Sequence, residues 1–129
     1  MSIPLQARSG AWQPALELLE PISLVRCCTS PLGRNLCMIV TETAVHVYAT
    51  SDESPNLSFE PVTSFFLGCR ATGASWSPST QHASTAWRIE ILVATETNEL
   101  RLLESLRQGS QARTATTKLA ETASRDRER

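Results

Sequence analysis

The sequence predicts an all-β chain built from two related antiparallel sheets, followed by a tail. Three observations carry this expectation. Short runs rich in Val, Ile, Leu and Thr recur at strand length, each bounded by Pro, Gly, Ser or Asn. One of them, Ile91-Leu92-Val93-Ala94, is apolar without a break, so both faces of that strand are expected to be covered. Finally, the order strand, Ser-Pro, apolar strand, Thr-Glu-Thr, amphipathic strand occurs twice.

Taken in order, residues 1–14 hold Pro4, Gly10 and Pro14 among polar residues and read as an irregular lead-in, with Trp12 expected to dock on the first sheet. Residues 15–20, ALELLE, suit a helical turn or an edge strand and end at Pro21. Residues 22–29 alternate as a strand, which sends Cys27 and Cys28 to opposite faces. After the Ser30-Pro31-Leu32-Gly33 turn, residues 36–41 form an apolar strand. Glu42-Thr43 then leads into residues 44–49, where Val45, Val47 and Ala49 share a face. Residues 57–67 supply an outer strand and the crossing to the second sheet, with Phe59, Phe65 and Phe66 expected to pack between sheets. The second copy has a short strand ending at Trp76, the Ser77-Pro78 stop, an inserted loop around residues 79–86, and strands over 87–95 and 99–103.

The two copies match at Ser30-Pro31 with Ser77-Pro78, at Thr41-Glu42-Thr43 with Thr95-Glu96-Thr97, and at Val45 and Val47 with Leu100 and Leu102. The spacing is 47 residues at the first step and 54 at the second, the difference being the inserted loop. A period of about 40 to 50 residues with four short strands per unit is the signature of WD40-like β-propellers. The expected fold is therefore a partial WD40-like propeller of about two antiparallel blades. Residues 15–105 divide into blades of about 15–60 and 61–105, and 106–129 form a disordered or weakly helical basic tail. That tail, LRQGSQARTATTKLAETASRDRER, has no aromatic residue and little apolar surface to offset its ordering entropy.

At 129 residues the chain accommodates one domain. Its net charge of -1 hides an asymmetry: residues 1–105 carry 6 Arg against 10 Asp or Glu, and 106–129 carry 6 Lys or Arg against 3. The four cysteines, at 27, 28, 37 and 69, make no CxxC pair and read as free thiols in a reducing compartment, so no metal and no cofactor is expected. No run approaches the ~20 apolar residues that span a bilayer, and residues 1–10 have neither the basic nor the apolar region of a secretion signal.

Catalytic chemistry finds no foothold in this sequence. The only histidines are His46, mid-strand, and His82, read as a solvated loop residue, and Asp occurs only at 52 and 126. Glu42 and Glu96 read as turn residues facing water, and no GxGxxG, GxxxxGK[ST] or HExxH is present. The expectation is no enzyme, with no catalytic, cofactor-binding or metal-binding residue and no small-molecule substrate. Arg107, Arg113, Lys118, Arg125, Arg127 and Arg129 offer a route to nucleic acid, but Glu121, Asp126 and Glu128 interrupt them and no aromatic stands between, so a solvated end is the expected reading.

Within residues 66–103, Gly68 and Arg70, Gly73 with Trp76-Ser77-Pro78, the extended loop, and Leu100-Arg101-Leu102 together resemble the second blade of the nucleoporin thirty-seven family. These are small WD-repeat proteins of the Y-shaped outer-ring subcomplex of the nuclear pore. Residues 25–31 and 45–48 are similar to that family's first blade, so the likeness spans about 15–105. It implies a seven-bladed, non-catalytic scaffold at the nuclear envelope, acting in nucleocytoplasmic transport and docked on a large nucleoporin of the same subcomplex. This chain carries about two blades, and no binding residue transfers. The alternatives are a WD-repeat adaptor in a transcription or ubiquitin-ligase complex, and a nucleic-acid-associated protein acting through the tail. Two blades without neighbours leave apolar strands bare, so the isolated chain is expected to be unstable or self-associating and to need a partner to fold well.

Overall fold

The computed structural model describes residues 18–51, 58–83 and 85–121. The expectations for residues 1–17, including Trp12, and for 122–129 lie outside them. The described residues are strand and turn throughout.

The first sheet is a meander of β1 (Ile22–Cys27), β2 (Leu36–Thr41), β3 (Ala44–Ser51) and β4 (Ser58–Phe66), paired antiparallel in that order. The second holds β5 (Ala71–Trp76), β7 (Ala86–Thr95), β8 (Glu99–Gln108) and β9 (Gln111–Glu121), with β6 (Gln81–His82) paired to β7 beyond the end of β5. Turn chemistry follows the sequence. The two-residue turn Glu42-Thr43 joins β2 to β3, whereas the β7–β8 turn has one more residue, Asn98, at φ 65°, a left-handed conformation that Asn tolerates. Gly109, at φ 60°, opens the two-residue turn that sends β9 back along β8.

Period-two burial places the core between the sheets. Met38, Val40, Val45, Val47 and Phe65 from the first sheet meet Ile89, Ile91, Val93 and Leu103 from the second, all buried. β2 is buried along its whole length, whereas β7, expected to be covered on both faces, buries Ile89, Ile91 and Val93 and leaves Leu92 38% exposed. On the far side of the first sheet, Cys37, Ile39 and Tyr48 form a second cluster with Leu18 and Phe59 over them.

The two sheets repeat each other closely. Each begins with an edge strand that slips register at the same place, between Ile22 and Leu24 in β1 and between Ala71 and Gly73 in β5. The Cys28 N–H donates to the Leu36 carbonyl at the end of that strand, and in the second sheet the Ser77 N–H donates to Glu90. Aligning the pairs gives Cys28 with Ser77, so the Ser-Pro steps are not in equivalent positions: the first begins two residues further from its strand. Both nevertheless close the same turn, with Gly33 N–H on Ser30 O and Thr80 N–H on Ser77 O.

The alignment also shows how the sheets face each other. Val40, Val45 and Val47 match Ala94, Leu100 and Leu102 by register, yet the first three point into the inter-sheet core and the second three point away from it. Ile39 matches Val93, and there the roles are exchanged. Like faces do not meet. The sheets stack head to tail, as successive blades of a propeller do, and not as the mirror-like halves of a sandwich.

Two expectations are corrected here. Residues 106–121 are not a disordered or weakly helical tail: β8 continues to Gln108 and β9 pairs with it from Gln111, completing a fourth strand for the second sheet. Every side chain of 111–119 is exposed, so β9 is held by backbone ladder bonds rather than by burial, which apolar content does not register. Of the three phenylalanines, Phe65 packs between the sheets, Phe59 sits edge-on to Tyr48 on the far face, and Phe66 is 77% exposed.

Candidate functional site

Two features of the described residues have the geometry to bind something: a cleft at one end of the sheet stack, and the outer face of the second sheet.

The cleft arises from the inserted loop. Within it Gln81–His82 fold back as β6 along the far end of β7, setting His82 opposite Trp87, and β8 sets Arg107 opposite Trp87 on the other side. The three side chains form one cross-strand row. The His82 and Trp87 rings stack with centroids 5.7 Å apart, and the Arg107 guanidinium lies 5.4 Å from the indole centroid. Trp87 Nε1–H donates to Ser105 Oγ at 3.0 Å, which fixes the indole in its plane. Arg107 Nε donates to the Gly109 carbonyl at 3.0 Å. Leu32 from the first sheet, Arg88 and Gln108 help close a cavity of about 420 Å³. Among the described residues its walls carry two arginines, an indole and an imidazole, with no carboxylate, hydroxyl or thiol side chain. Such a wall can hold an anionic or aromatic group.

His82 is not the solvated loop residue expected from sequence. The His82 backbone N–H donates to Leu32 O at 2.8 Å, and the Asn35 amide Nδ2 lies 3.2 Å from His82 Nδ1. An amide NH₂ only donates, so Nδ1 accepts and the ring proton sits on Nε2. Burial holds the imidazole pKa below its ordinary 6.5.

The same loop ties the sheets together. Ser30 Oγ donates to Thr80 O at 2.8 Å, and a side chain added at Gly33 would meet Cys28 Sγ at 3.2 Å and Thr80 at 3.3 Å. Thr80 is wholly buried, with Oγ1 at 3.3 Å from both the N and the O of Glu90. Elsewhere Trp76 Nε1–H donates to Arg26 O at 3.1 Å, and Arg101 Nη1 donates to Leu67 O at 3.0 Å. Trp76 and Arg101 carry the resemblance, and Ser30 and Gly33 read from sequence only as turn residues; the tie that Thr80 makes was not foreseen. The available signal was the length of the insertion between two otherwise matching strands.

The remaining sequence candidates are dispersed. His46 Nδ1 lies 2.8 Å from Ser64 Oγ across the β3–β4 ladder, far from His82 at the cleft. The carboxylate nearest in effect, Glu20, is engaged by Thr43 through its N–H and hydroxyl, at 3.2 and 2.8 Å. Hydrogen bonds from Thr41 and Thr43 hold the Glu20 pKa below the usual carboxylate value. Glu42 is exposed in its turn, and Glu96 Oε2 accepts from the Arg70 N–H at 3.2 Å. Of the six basic residues expected in the tail, Arg107 and Arg113 lie on β8 and β9, and Lys118 on β9 pairs with Glu99 at 3.6 Å. Arg125, Arg127 and Arg129, like Asp52 and Asp126, lie outside the described residues. Among the described residues no three His, Cys, Asp or Glu gather in metal-binding geometry, and no helix is long and apolar enough to cross a membrane.

The outer face of the second sheet is the larger feature. Ala94, Leu100, Leu92 and Leu102 form two adjacent rows across β7 and β8, with Gly73 and Ser75 of β5 beside them. Leu92 is 38% exposed and the other leucines are half-buried. The next two rows are charged: Glu90 beside Glu104, then Arg88 beside Leu106 and Arg113. Arg88 bridges Glu90 at 3.2 Å. The Ser79 hydroxyl, at 2.7 Å from Glu90 Oε1, is the main cause of that carboxyl's lowered pKa. The face is thus half apolar and half charged. Comparison with known proteins finds neither a described family nor a curated protein that matches the chain.

Proposed function

We propose that this chain is a non-catalytic protein–protein interaction scaffold, which docks a partner's sheet on the outer face of its second sheet. The observation that carries this is the head-to-tail stacking. The outer face of the second sheet is the register equivalent of the face that the first sheet buries, with Ala94, Leu100 and Leu102 standing where Val40, Val45 and Val47 stand. At ~25 cal/mol per Å², covering a few hundred Å² of such surface contributes several kcal/mol, enough to drive association. The setting that the sequence resemblance supports is the outer ring of the nuclear pore, with a large nucleoporin as partner.

Leu102→Asp tests the docking face, because it places a charge where a partner sheet would pack while leaving the inter-sheet core intact. The wild-type chain is expected to form a concentration-dependent complex in light scattering, and a tagged copy to give a punctate nuclear rim. The Leu102→Asp chain is expected to remain folded and lose both. A wild type that stays monomeric at every concentration, with a localisation the substitution does not alter, overturns the docking reading. A diffuse nucleoplasmic signal that still depends on Leu102 overturns the pore setting alone and favours an adaptor in another assembly.

A further inference from the structure

The first sheet carries a pair of cysteines that the linear sequence does not reveal as a pair. Cys27 at the end of β1 and Cys37 in β2 are direct register partners. The Cys28 N–H donates to the Leu36 O at 3.0 Å, which makes Cys28 and Leu36 a hydrogen-bonded pair and therefore Cys27 and Cys37 a non-hydrogen-bonded one. In such pairs the Cα atoms approach to about 4.5 Å, side chains lean together, and the separation falls within the range of about 4.4 to 6.8 Å that a disulfide spans. Both side chains project from the outer face of the sheet, and the Cys27 thiol is near enough to act on Cys37 electrostatically. Cys27 is exposed and Cys37 is buried beneath Leu18 and Phe59.

We propose that Cys27 and Cys37 form a redox modification site, in which oxidation by a low-molecular-weight disulfide closes a cross-strand bridge between β1 and β2. The exposed Cys27 thiolate attacks one sulfur of glutathione disulfide, whose S–S bond breaks and releases one glutathione, leaving a mixed disulfide on Cys27. Cys37 gives its proton to solvent, and its thiolate attacks Cys27 Sγ and expels the second glutathione. Two protein thiols are oxidised to one disulfide, and one glutathione disulfide is reduced to two thiols. Burial, with the neighbouring Cys27 thiol second, pushes the Cys37 pKa up to about 11, so the closing step is slow at neutral pH and accelerates as pH rises toward that value. The bridge fastens β1, an edge strand whose side chains are mostly exposed, to the most buried strand of the molecule.

The test is incubation of the native full chain in a glutathione redox buffer, followed by alkylation and peptide mapping. The expected product is an intramolecular link between Cys27 and Cys37, reversed by dithiothreitol, formed faster at about pH 9 than at about pH 7, and raising the thermal midpoint. The link is expected to survive Cys28→Ser and Cys69→Ser. Cys37→Ser should stop the reaction at the Cys27 mixed disulfide. Cys27→Ser, an exposed change that leaves the core untouched, should prevent modification of Cys37 altogether. A folded wild type that accumulates only the Cys27 adduct, pairs Cys27 with another molecule, or forms the link no faster than in denaturant overturns the proposal.

Discussion

Thr80 and His82 show what single side chains contribute here, and both sit in the inserted loop. Thr80 is buried with its hydroxyl bonded to both backbone groups of Glu90. Thr80→Val keeps the volume and strands the Glu90 N–H, so it should lower unfolding free energy by about 1 to 3 kcal/mol in denaturant titration. His82 titrates with a definite sign. Its folded-state pKa lies below 6.5, so between the two values the unfolded chain binds a proton that the folded chain does not. Stability is therefore fully present above about pH 6.5 and falls as pH drops through that window. Protonation at Nδ1 also ends the bond from Asn35. The thermal midpoint of the wild type should decline as pH falls below about 6.5, and that of His82→Gln should decline less. Neither role was legible in the sequence. A loop has no periodicity to mark which residues turn inward, and these two are held by groups that come from a distant turn, 30–35.

At the scale of elements, the strands that bury side chains were legible and the one that does not was missed. β2, β3 and β7 announce themselves through β-branched runs and alternation. β9 is mostly Ala, Thr and charged residues with every described side chain exposed, so its composition resembles a solvated tail. Two clues to it were nevertheless present: three threonines at 114, 116 and 117, and a Gly-Ser pair at turn length from β8. Gly109 at φ 60° gives the hairpin its reversal. Gly109→Ala should destabilise it by about 1 to 2 kcal/mol, because Cβ crowds the carbonyl in that region. Native hydrogen exchange should then show faster exchange in β9 and no change in β7.

For the whole molecule, the repeat read from sequence located the two sheets, but not their orientation. Thr41 and Thr95 are equivalent in fact as well as in letters, both buried at the same turn. The Ser-Pro match was displaced by two residues because the chain enters the two turns at different depths. What no one-dimensional comparison contains is which face of each sheet meets the other, since that depends on three-dimensional stacking of alternating residues. The shared core makes the sheets one cooperative unit. Ile91 is wholly buried in it, and Ile91→Ala should cost about 2 to 5 kcal/mol and lower a single thermal transition seen equally by probes in either sheet.

A stack whose members all point the same way has a leading end and a trailing end that differ in chemistry. Here the trailing end is already roofed by Leu18 and Phe59, and the leading end presents Leu92, exposed, beside the half-buried Leu100 and Leu102. A partner sheet that continues the stack is therefore expected at the side of Leu92, Leu100 and Leu102 and not at the side that Leu18 and Phe59 cover.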